Sequence, residues 1–540
     1  MSTNIRTFLA ILLSFLVVFV YQYFFAKNLE TQKQEPAQTQ TQPGQQQAAA
    51  PAAAPGAPAA VTVPSKAPAV KAAAAAAARD IRIETPLYSA VFSTRGGALK
   101  SFLLKQYKAT LEEGSPLIEL VQVQEGSELP LSVAFTDSSV NLPGDASYTA
   151  DQNNLDLTKD TQPRKLVFSL AAPGQYRVEK IFTFYPDRYS FDLEVRFQNS
   201  AAAPLSENAN LTWPAETGKK DAEQEEGAIA QVKNSTERQA AAKLEKKDYG
   251  TDVQWGGFES KFFLGAMIPK QPALTSIAFN KDTRGQIVVS LEGPKNTIPQ
   301  GQTGIFGYTA YVGPKDYELL KQQGVGLEAA INIGNWMKWL AFPFLFVMQF
   351  LYKYVGNYGI VIIIITILTK IIFWPLGNKS YKSMKEMQKV QPKMAELKER
   401  YKDDKQKLNA AVMELYKTHK INPLGGCLPV VIQIPVFIAL YQLLSYAIEL
   451  RHAPFVWWIQ DLSAKDPYYI TPVIMGATML IQQKMTPAMG DPMQQKMMMF
   501  MPVVFTFLFL NFPSGLVIYW LINNVLSIGQ QYYINKAPTA

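Results

Sequence analysis

One cysteine and two histidines in 540 residues leave little room for metal or redox chemistry. Cys427 has no partner for an intramolecular disulfide, and together with His419 and His452 it cannot make up a Cys/His metal set. Residues 80–325 hold no histidine, which removes the usual acid–base group from that stretch. The chain has no Gly-x-x-x-x-Gly-Lys-Ser/Thr loop, so it carries no visible nucleotide engine. No carboxylate stands opposite Lys370 in its apolar run, which argues against proton-coupled transport. These absences predict no enzymatic reaction and no cofactor. The net charge of +8 lies largely in the loop after Lys370, as expected of a cytoplasmic loop beside a membrane, rather than on a nucleic-acid-binding surface.

What is present divides the chain sharply. Residues 8–25 form an apolar stretch long enough to span a bilayer, preceded by Arg6 and without a convincing cleavage site, so residues 1–27 read as an uncleaved signal anchor. Residues 28–79 are rich in Gln, Pro and Ala and have almost no large apolar side chains, which predicts a tether. From 80 to 325 the pattern changes to short alternating runs such as Tyr189-Ser-Phe-Asp-Leu-Glu-Val-Arg-Phe197, separated by Pro, Gly and Asn. Alternation gives each strand one buried and one solvated face, so a large antiparallel β-sandwich is expected, across the membrane from Arg6. Ligand or protein docking and a purely structural role both stand open for it.

The remaining residues read as membrane. Residues 326–341 place Leu327, Ala330, Ile331, Gly334, Met337 and Ala341 on one helical face, with Trp336 and Trp339 suited to headgroups, and predict an interfacial amphipathic helix. A second transmembrane region is expected at 342–376, and a polar coiled-coil hairpin at 377–421, turning at Asp403-Asp404, with a kink at Pro392. Further spans are expected at 422–448, 470–484, 497–512 and 515–533. Between them lie an outer loop at 449–469 with Trp457, Trp458, Tyr468 and Tyr469, and an inner loop at 485–496; a tail at 534–540 ends the chain. The last two spans are limbs of about 15 residues, roughly 22 Å each, broken at Phe512-Pro-Ser-Gly515. The fold class is therefore a polytopic α-helical membrane protein, an anchor plus a five-helix core.

Lys370 is the feature of this core that most demands an explanation. A cation inside an apolar span costs several kcal/mol unless water or a partner reaches it. It is either functional or a snorkelling lysine, since about six residues, roughly 9 Å of helix, separate it from the basic loop. Polar stripes at helical spacing accompany it: Thr366 and Thr369; Gln433, Tyr441 and Ser445; Thr471, Met475, Thr478 and Gln482; Tyr519, Asn523, Ser527 and Gln530. Converging stripes make either a hydrated groove or interhelical glue.

Four stretches, Asn422-Pro-Leu-Gly-Gly-Cys427, Asp461-Leu-Ser-Ala-Lys-Asp-Pro-Tyr-Tyr469, Asp491-Pro-Met-Gln-Gln-Lys496 and Phe512-Pro-Ser-Gly-Leu516, closely resemble the YidC/Oxa/Alb family of membrane protein insertases in its Gram-negative form. The resemblance implies a periplasmic β-domain, a cytoplasmic hairpin, cytoplasmic termini and residence in the bacterial inner membrane. It implies that Lys370 stands where the family's groove cation is usually arginine, and that Thr366 and Tyr519 line the groove. Phe437, Met475 and Trp520 would form an apolar slide for the departing client span, with Trp520 where a second tyrosine often occurs. Implied partners are nascent membrane proteins, the Sec translocon, membrane lipids and, through the two cytoplasmic loops, the ribosome. The end of the chain lacks the long basic tail that some members use for ribosome contact.

Without a nucleotide engine the driving force must come from the client. A client span gains about 0.3 to 0.6 kcal/mol per apolar residue, while each charge in its flank opposes passage by about 2.5 to 3.5 kcal/mol. A groove through a thinned bilayer would shorten that barrier. More than half of the 17 methionines fall between Met475 and Met501, a pliable surface suited to varied clients or ordinary gap-filling. Two rival readings stand beside this one: an anion-selective pore or transporter built on Lys370, and a scaffold of the secretion machinery.

Overall fold

The computed structural model describes residues 78–135, 138–216, 226–334, 337–419, 428–486 and 492–536, without the side chains of 405, 428–432 and 492–497. The expected anchor, nearly all of the tether, Trp336, the Asn422–Cys427 motif, part of the 485–496 loop and the last four residues lie outside the described residues.

The alternation at 189–197 becomes the strand Ser190–Asn199. Phe191, Leu193, Val195 and Phe197 are buried on one side of it, while Asp192, Glu194 and Arg196 face the other way. It pairs in antiparallel register with Tyr176–Phe184 and Thr303–Pro314 inside a nine-stranded sheet. One face of that sheet is covered by two five-stranded sheets. In the first, Phe92 packs 4.7 Å from Phe182 and 6.0 Å from Phe191. In the second, Trp213 lies so close to Gly265 that a Cβ there would come within 2.3 Å of the indole. Residue 265 must therefore lack a side chain for these sheets to meet. Among the described residues the sandwich is antiparallel with one departure, a parallel pair between Asp80–Glu84 and Asn154–Asp156.

Lys180 pins the three sheets together. Its fully buried ammonium donates to the carbonyls of Gly96 (2.9 Å) and Leu131 (2.7 Å) and lies near the rings of Tyr148 and Phe182. Burial pushes this ammonium down to about 7, against the attraction of Glu128.

The segment leaving the β-domain is held by a buried ionic clamp. Glu259 accepts from Lys315 at 2.6 Å and from Arg238 at 2.8 Å, and Arg238 also donates to the carbonyls of Ala329 (3.0 Å) and Ala330 (2.7 Å). These carbonyls belong to a 3-10 turn, Leu327–Ala330, and the chain from Ile331 to Gly334 is not helical. The continuous interfacial helix expected at 326–341 is thus not formed. Its apolar face, Leu327, Ala330, Ile331 and Met337, is buried in the β-domain core instead, and Gly334 adopts a left-handed φ of 70° beside Gln442.

Among the described residues the helices are α1 (Tyr317–Lys321), α2 (Lys338–Val355), α3 (Tyr358–Ile372), α4 (Trp374–Arg400), α5 (Lys405–Thr418), α6 (Leu428–Tyr446), α7 (Ile470–Met485), α8 (Pro492–Phe509) and α9 (Ser514–Lys536). The region expected as one span at 342–376 is therefore divided. Gly356, with φ 68°, ends α2, and Asn357 accepts from the Ile360 amide to start α3. Tyr352 and Tyr358 stack across the break at 3.8 Å. The hairpin helix begins at Trp374, earlier than the expected 377, and turns 64° from α3. Asp404 caps α5, accepting from the amides of Gln406 and Lys407. Helices α4 and α5 meet through Met387, Val390, Leu415 and Tyr416.

Both limbs of the final hairpin exceed the expected 15 residues, with 18 in α8 and 23 in α9. Helix α9 continues past its apolar part because Gln531 donates to the Met485 carbonyl (2.9 Å), and Lys385 caps the carbonyls of Ile534 and Asn535. Among the described residues no single helix is long and apolar enough to cross a membrane, while the bent pair α3–α4 meets the requirement together.

Candidate functional site

Helix α3 is apolar from Tyr358 to Ile372 except at Thr366, Thr369 and Lys370. Its inner face buries Val361, Ile362, Ile365 and Thr366, while Ile367, Leu368, Ile371 and Ile372 are exposed. Thr366 donates to the Ile362 carbonyl (2.7 Å) and Thr369 to the Thr366 carbonyl (2.8 Å), so both hydroxyl protons are used within their own helix. Lys370, half-buried in the last turn, reaches across to α9 and donates to Ser527 Oγ at 2.6 Å. Among the described residues no carboxylate forms an ion pair with it.

Helix α9 is the hub of the polar contacts. Ser527 passes its own proton to the Asn523 carbonyl at 2.7 Å. The phenol of Tyr381, on α4, lies near Ser527 and near Gln482 of α7. Asn524 donates to Thr478 Oγ1 at 3.4 Å, and Thr478 donates to the Met475 carbonyl at 2.6 Å. Tyr519, buried, lies near Gln433 of α6. One turn further, Gln530 donates to Asn378 Oδ1 (2.9 Å) and the Trp374 carbonyl (3.2 Å), tying α9 to the base of the hairpin.

The structure thus brings together Lys370, Ser527, Gln482, Thr478, Tyr519 and Gln433 around α9. Asn523 contributes its backbone carbonyl, whereas the cross-helix amide belongs to its neighbour Asn524, buried to 4% exposure. Tyr381 was not singled out by the sequence, because it falls in the polar stretch assigned to the hairpin. Its position one turn beyond the apolar run, just after Pro375, was the available signal.

Phe437 and Trp520 meet edge to face at 4.8 Å, and Trp520 also packs on Phe509 at 5.3 Å and Phe505 at 6.3 Å. Phe437 and Met475 are buried, so neither offers an open surface here. The exposed apolar side chains of these helices are others, including Ile371, Val473, Ile481, Phe507 and Val525.

The outer ends of the helices are fixed by the loop at 449–469. Asp466 accepts from Trp458 Nε1 (3.0 Å), the Tyr468 amide (3.0 Å), and the Thr471 amide (2.8 Å) and hydroxyl (2.7 Å). Burial alone would raise its carboxyl, but these donors hold it below the usual range. Ser514 and Gly515, at the start of α9, donate to the carbonyls of Ala464 (2.7 Å) and Leu462 (3.0 Å) of the same loop. Arg451 joins this end to the β-domain through the carbonyls of Lys108 (2.6 Å) and Ala109 (3.2 Å).

Comparison with known proteins gives the class first. Residues 80–347 match the family described as YidC periplasmic domain, and residues 350–540 match the family described as 60Kd inner membrane protein. The chain is therefore an inner-membrane protein with a periplasmic β-rich domain and a helical carboxyl-terminal region. It is 58% identical over 462 residues to the membrane protein insertase YidC of Syntrophus aciditrophicus, covering 85% of each chain. With the membrane protein insertase YidC of Geobacter metallireducens the identity is 46% over 467 residues, covering 86% of each. A solved structure described as an active YidC insertase with the first transmembrane domain resolved is 20% identical, with a TM-score of 0.38, covering 84% of this chain and 92% of that one. The chain belongs to the YidC family of membrane protein insertases, which are not enzymes.

Proposed function

We propose that this protein inserts nascent inner-membrane proteins through a hydrated groove in which Lys370 is the cation, and that it does so without nucleotide hydrolysis. Helices α3, α6, α7, α8 and α9 form the spanning core, the residues before 28 form an additional anchor, and both termini lie in the cytoplasm. The α4–α5 hairpin and the loop before α8 are cytoplasmic and meet the ribosome and lipid headgroups. The Sec translocon receives or delivers clients alongside.

The observation that carries this reading is the Lys370–Ser527 contact, set among polar contacts by which α9 reaches α3, α4 and α7, with no described carboxylate partner for the cation. An ammonium satisfied only by neutral oxygens keeps its attraction for an acidic client flank. The client's apolar segment then leaves along the lipid-exposed side of the bundle, with Phe437, Met475 and Trp520 as the packed wall behind it.

Photo-crosslinkers placed at Gln433 and Gln482 test this arrangement with a stalled single-spanning client. Adducts to the polar flank of the client are expected from both positions. Adducts solely from the lipid-exposed positions Ile371 and Val473 would contradict a groove.

A further inference from the structure

We propose that Gln530 is a positioning residue for insertion: its buried amide seats the base of the α4–α5 hairpin at the mouth of the groove. The proposal rests on the groove-cation reading above and adds to it the part of α9 beyond Ser527.

Gln530 and Gln531 are each only 2% exposed. Burying an amide is unfavourable unless its donors find acceptors. Adjacent residues point about 100° apart around a helix, so these two meet different neighbours. The Gln531 amide donates to the carbonyl of Met485, the last residue of α7, at 2.9 Å. Gln530 turns to the other side and gives both of its amide protons to the start of α4, at 2.9 Å to Asn378 Oδ1 and at 3.2 Å to the Trp374 carbonyl. This amide rests on bare backbone: a Cβ at Gly377 would come within 2.8 Å of Gln530 Nε2. Glycine at 377 is what lets the two helices meet there.

Covalent continuity with α3 does not by itself aim the hairpin. Helix α4 turns 64° away from α3 after Phe373, and Pro375 in its first turn has no amide proton to return to α3. The direction is set from the side, by α9. Lys385 adds a second tie to α9, at the carbonyls of Ile534 (3.3 Å) and Asn535 (3.2 Å), but that tie is open to solvent at Asn535, whereas the Gln530 amide is buried.

Gln530 stands three residues after Ser527, whose Oγ accepts from the Lys370 ammonium at 2.6 Å. One short stretch of α9 therefore carries both the acceptor for the cation and the seat of the hairpin. While the amide holds, hairpin and cation keep a fixed relation, and a client that meets the hairpin is delivered to the cation. If the hairpin wanders, only a fraction of molecules is competent, and apparent client affinity falls by that fraction.

The test uses the full chain in liposomes, on a Cys427→Ser background with donor and acceptor dyes at Lys402→Cys, beside the hairpin turn, and Lys465→Cys, in the outer loop. Energy transfer reads the position of the hairpin, and protease-protected insertion against client concentration reads function. Gln530→Leu, which keeps the bulk and deletes the amide, should shift or broaden the transfer and raise the half-saturating client concentration about two- to tenfold, with the plateau unchanged. Asn378→Ala should do the same from the α4 side, and adding it to Gln530→Leu should change nothing further. Gln531→Leu, equally buried but tied to α7, should leave transfer and half-saturation at their wild-type values. Unchanged transfer or unchanged half-saturation in both Gln530→Leu and Asn378→Ala overturns the proposal. An equal effect from Gln531→Leu overturns it as well, because the bundle would then be loosening as a whole. Lys370→Ala separates the two readings: it should abolish insertion and leave the transfer unchanged. Normal insertion in Lys370→Ala removes the groove cation, while the transfer measurements still decide the seat of the hairpin.

Discussion

Replacing Glu259 by Gln breaks the clamp that fixes the segment leading from the β-domain into α2. Side-chain exposure is 9% at Glu259 and 4% at Lys315, so their 2.6 Å contact is shielded from water. Removing one member of such a pair takes the shielded counter-ion from the other charge, which costs about 3 to 5 kcal/mol. Arg238, more exposed at 28%, keeps its bonds to the carbonyls of Ala329 and Ala330 and suffers less. For a domain of this size each kcal/mol corresponds to roughly 2 to 4 °C in Tm. Thermal unfolding of the full-length protein, followed by near-ultraviolet dichroism of the buried Trp213 and Trp255, should therefore show a fall of about 10 °C. Adding Lys315→Met to the variant removes the ammonium that lost this counter-ion and should recover about half of the loss. A fall of less than about 2 °C, or no recovery in the double variant, would refute the reasoning.

Three further outcomes follow from the same structure. Lys180 releases its proton near pH 7 when folded, against 10.5 ordinarily. Between those values the unfolded chain binds the extra proton, so β-domain stability should rise with pH across that window, and Lys180→Met should flatten the profile measured by urea unfolding. Gly265→Ala would place a methyl within 2.3 Å of the Trp213 ring, and calorimetry should show about 1 to 3 kcal/mol of destabilisation. Asp466→Ala strands the Thr471 amide and hydroxyl and the Trp458 indole, so hydrogen exchange at the start of α7 should quicken by about tenfold or more.

The β-domain was legible where one face of a strand is dry and the other wet. Tyr189-Ser-Phe-Asp-Leu-Glu-Val-Arg-Phe197 announces its pairing face, and Ser190–Asn199 adopts it. The parallel pairing of Asp80–Glu84 with Asn154–Asp156 was not legible, because alternation says which face is buried but not which strand lies alongside. The stretch at 326–341 has helical periodicity, yet burial against the β-domain and the Arg238 bonds to its carbonyls prevailed over it. The polar stripes contain Ser527 and Thr478, which bond across helices to Lys370 and Asn524, since spacing of three or four fixes a shared face. Tyr381 escaped, because its approach depends on the 64° bend after Phe373, a tertiary feature without a local pattern. Asn524 escaped for a related reason: the register of α9 against α7 decides which of two adjacent asparagines points across.

The central claim is that a single half-buried cation on α3 serves insertion. The most direct measurement is protease-protected insertion of a short single-spanning protein into liposomes holding the purified wild type, Lys370→Ala or Lys370→Arg. Insertion by wild type and Lys370→Arg, with loss in Lys370→Ala, is the predicted result. Equal insertion by all three would contradict it and reduce Lys370 to a lysine whose stem crosses to the basic loop.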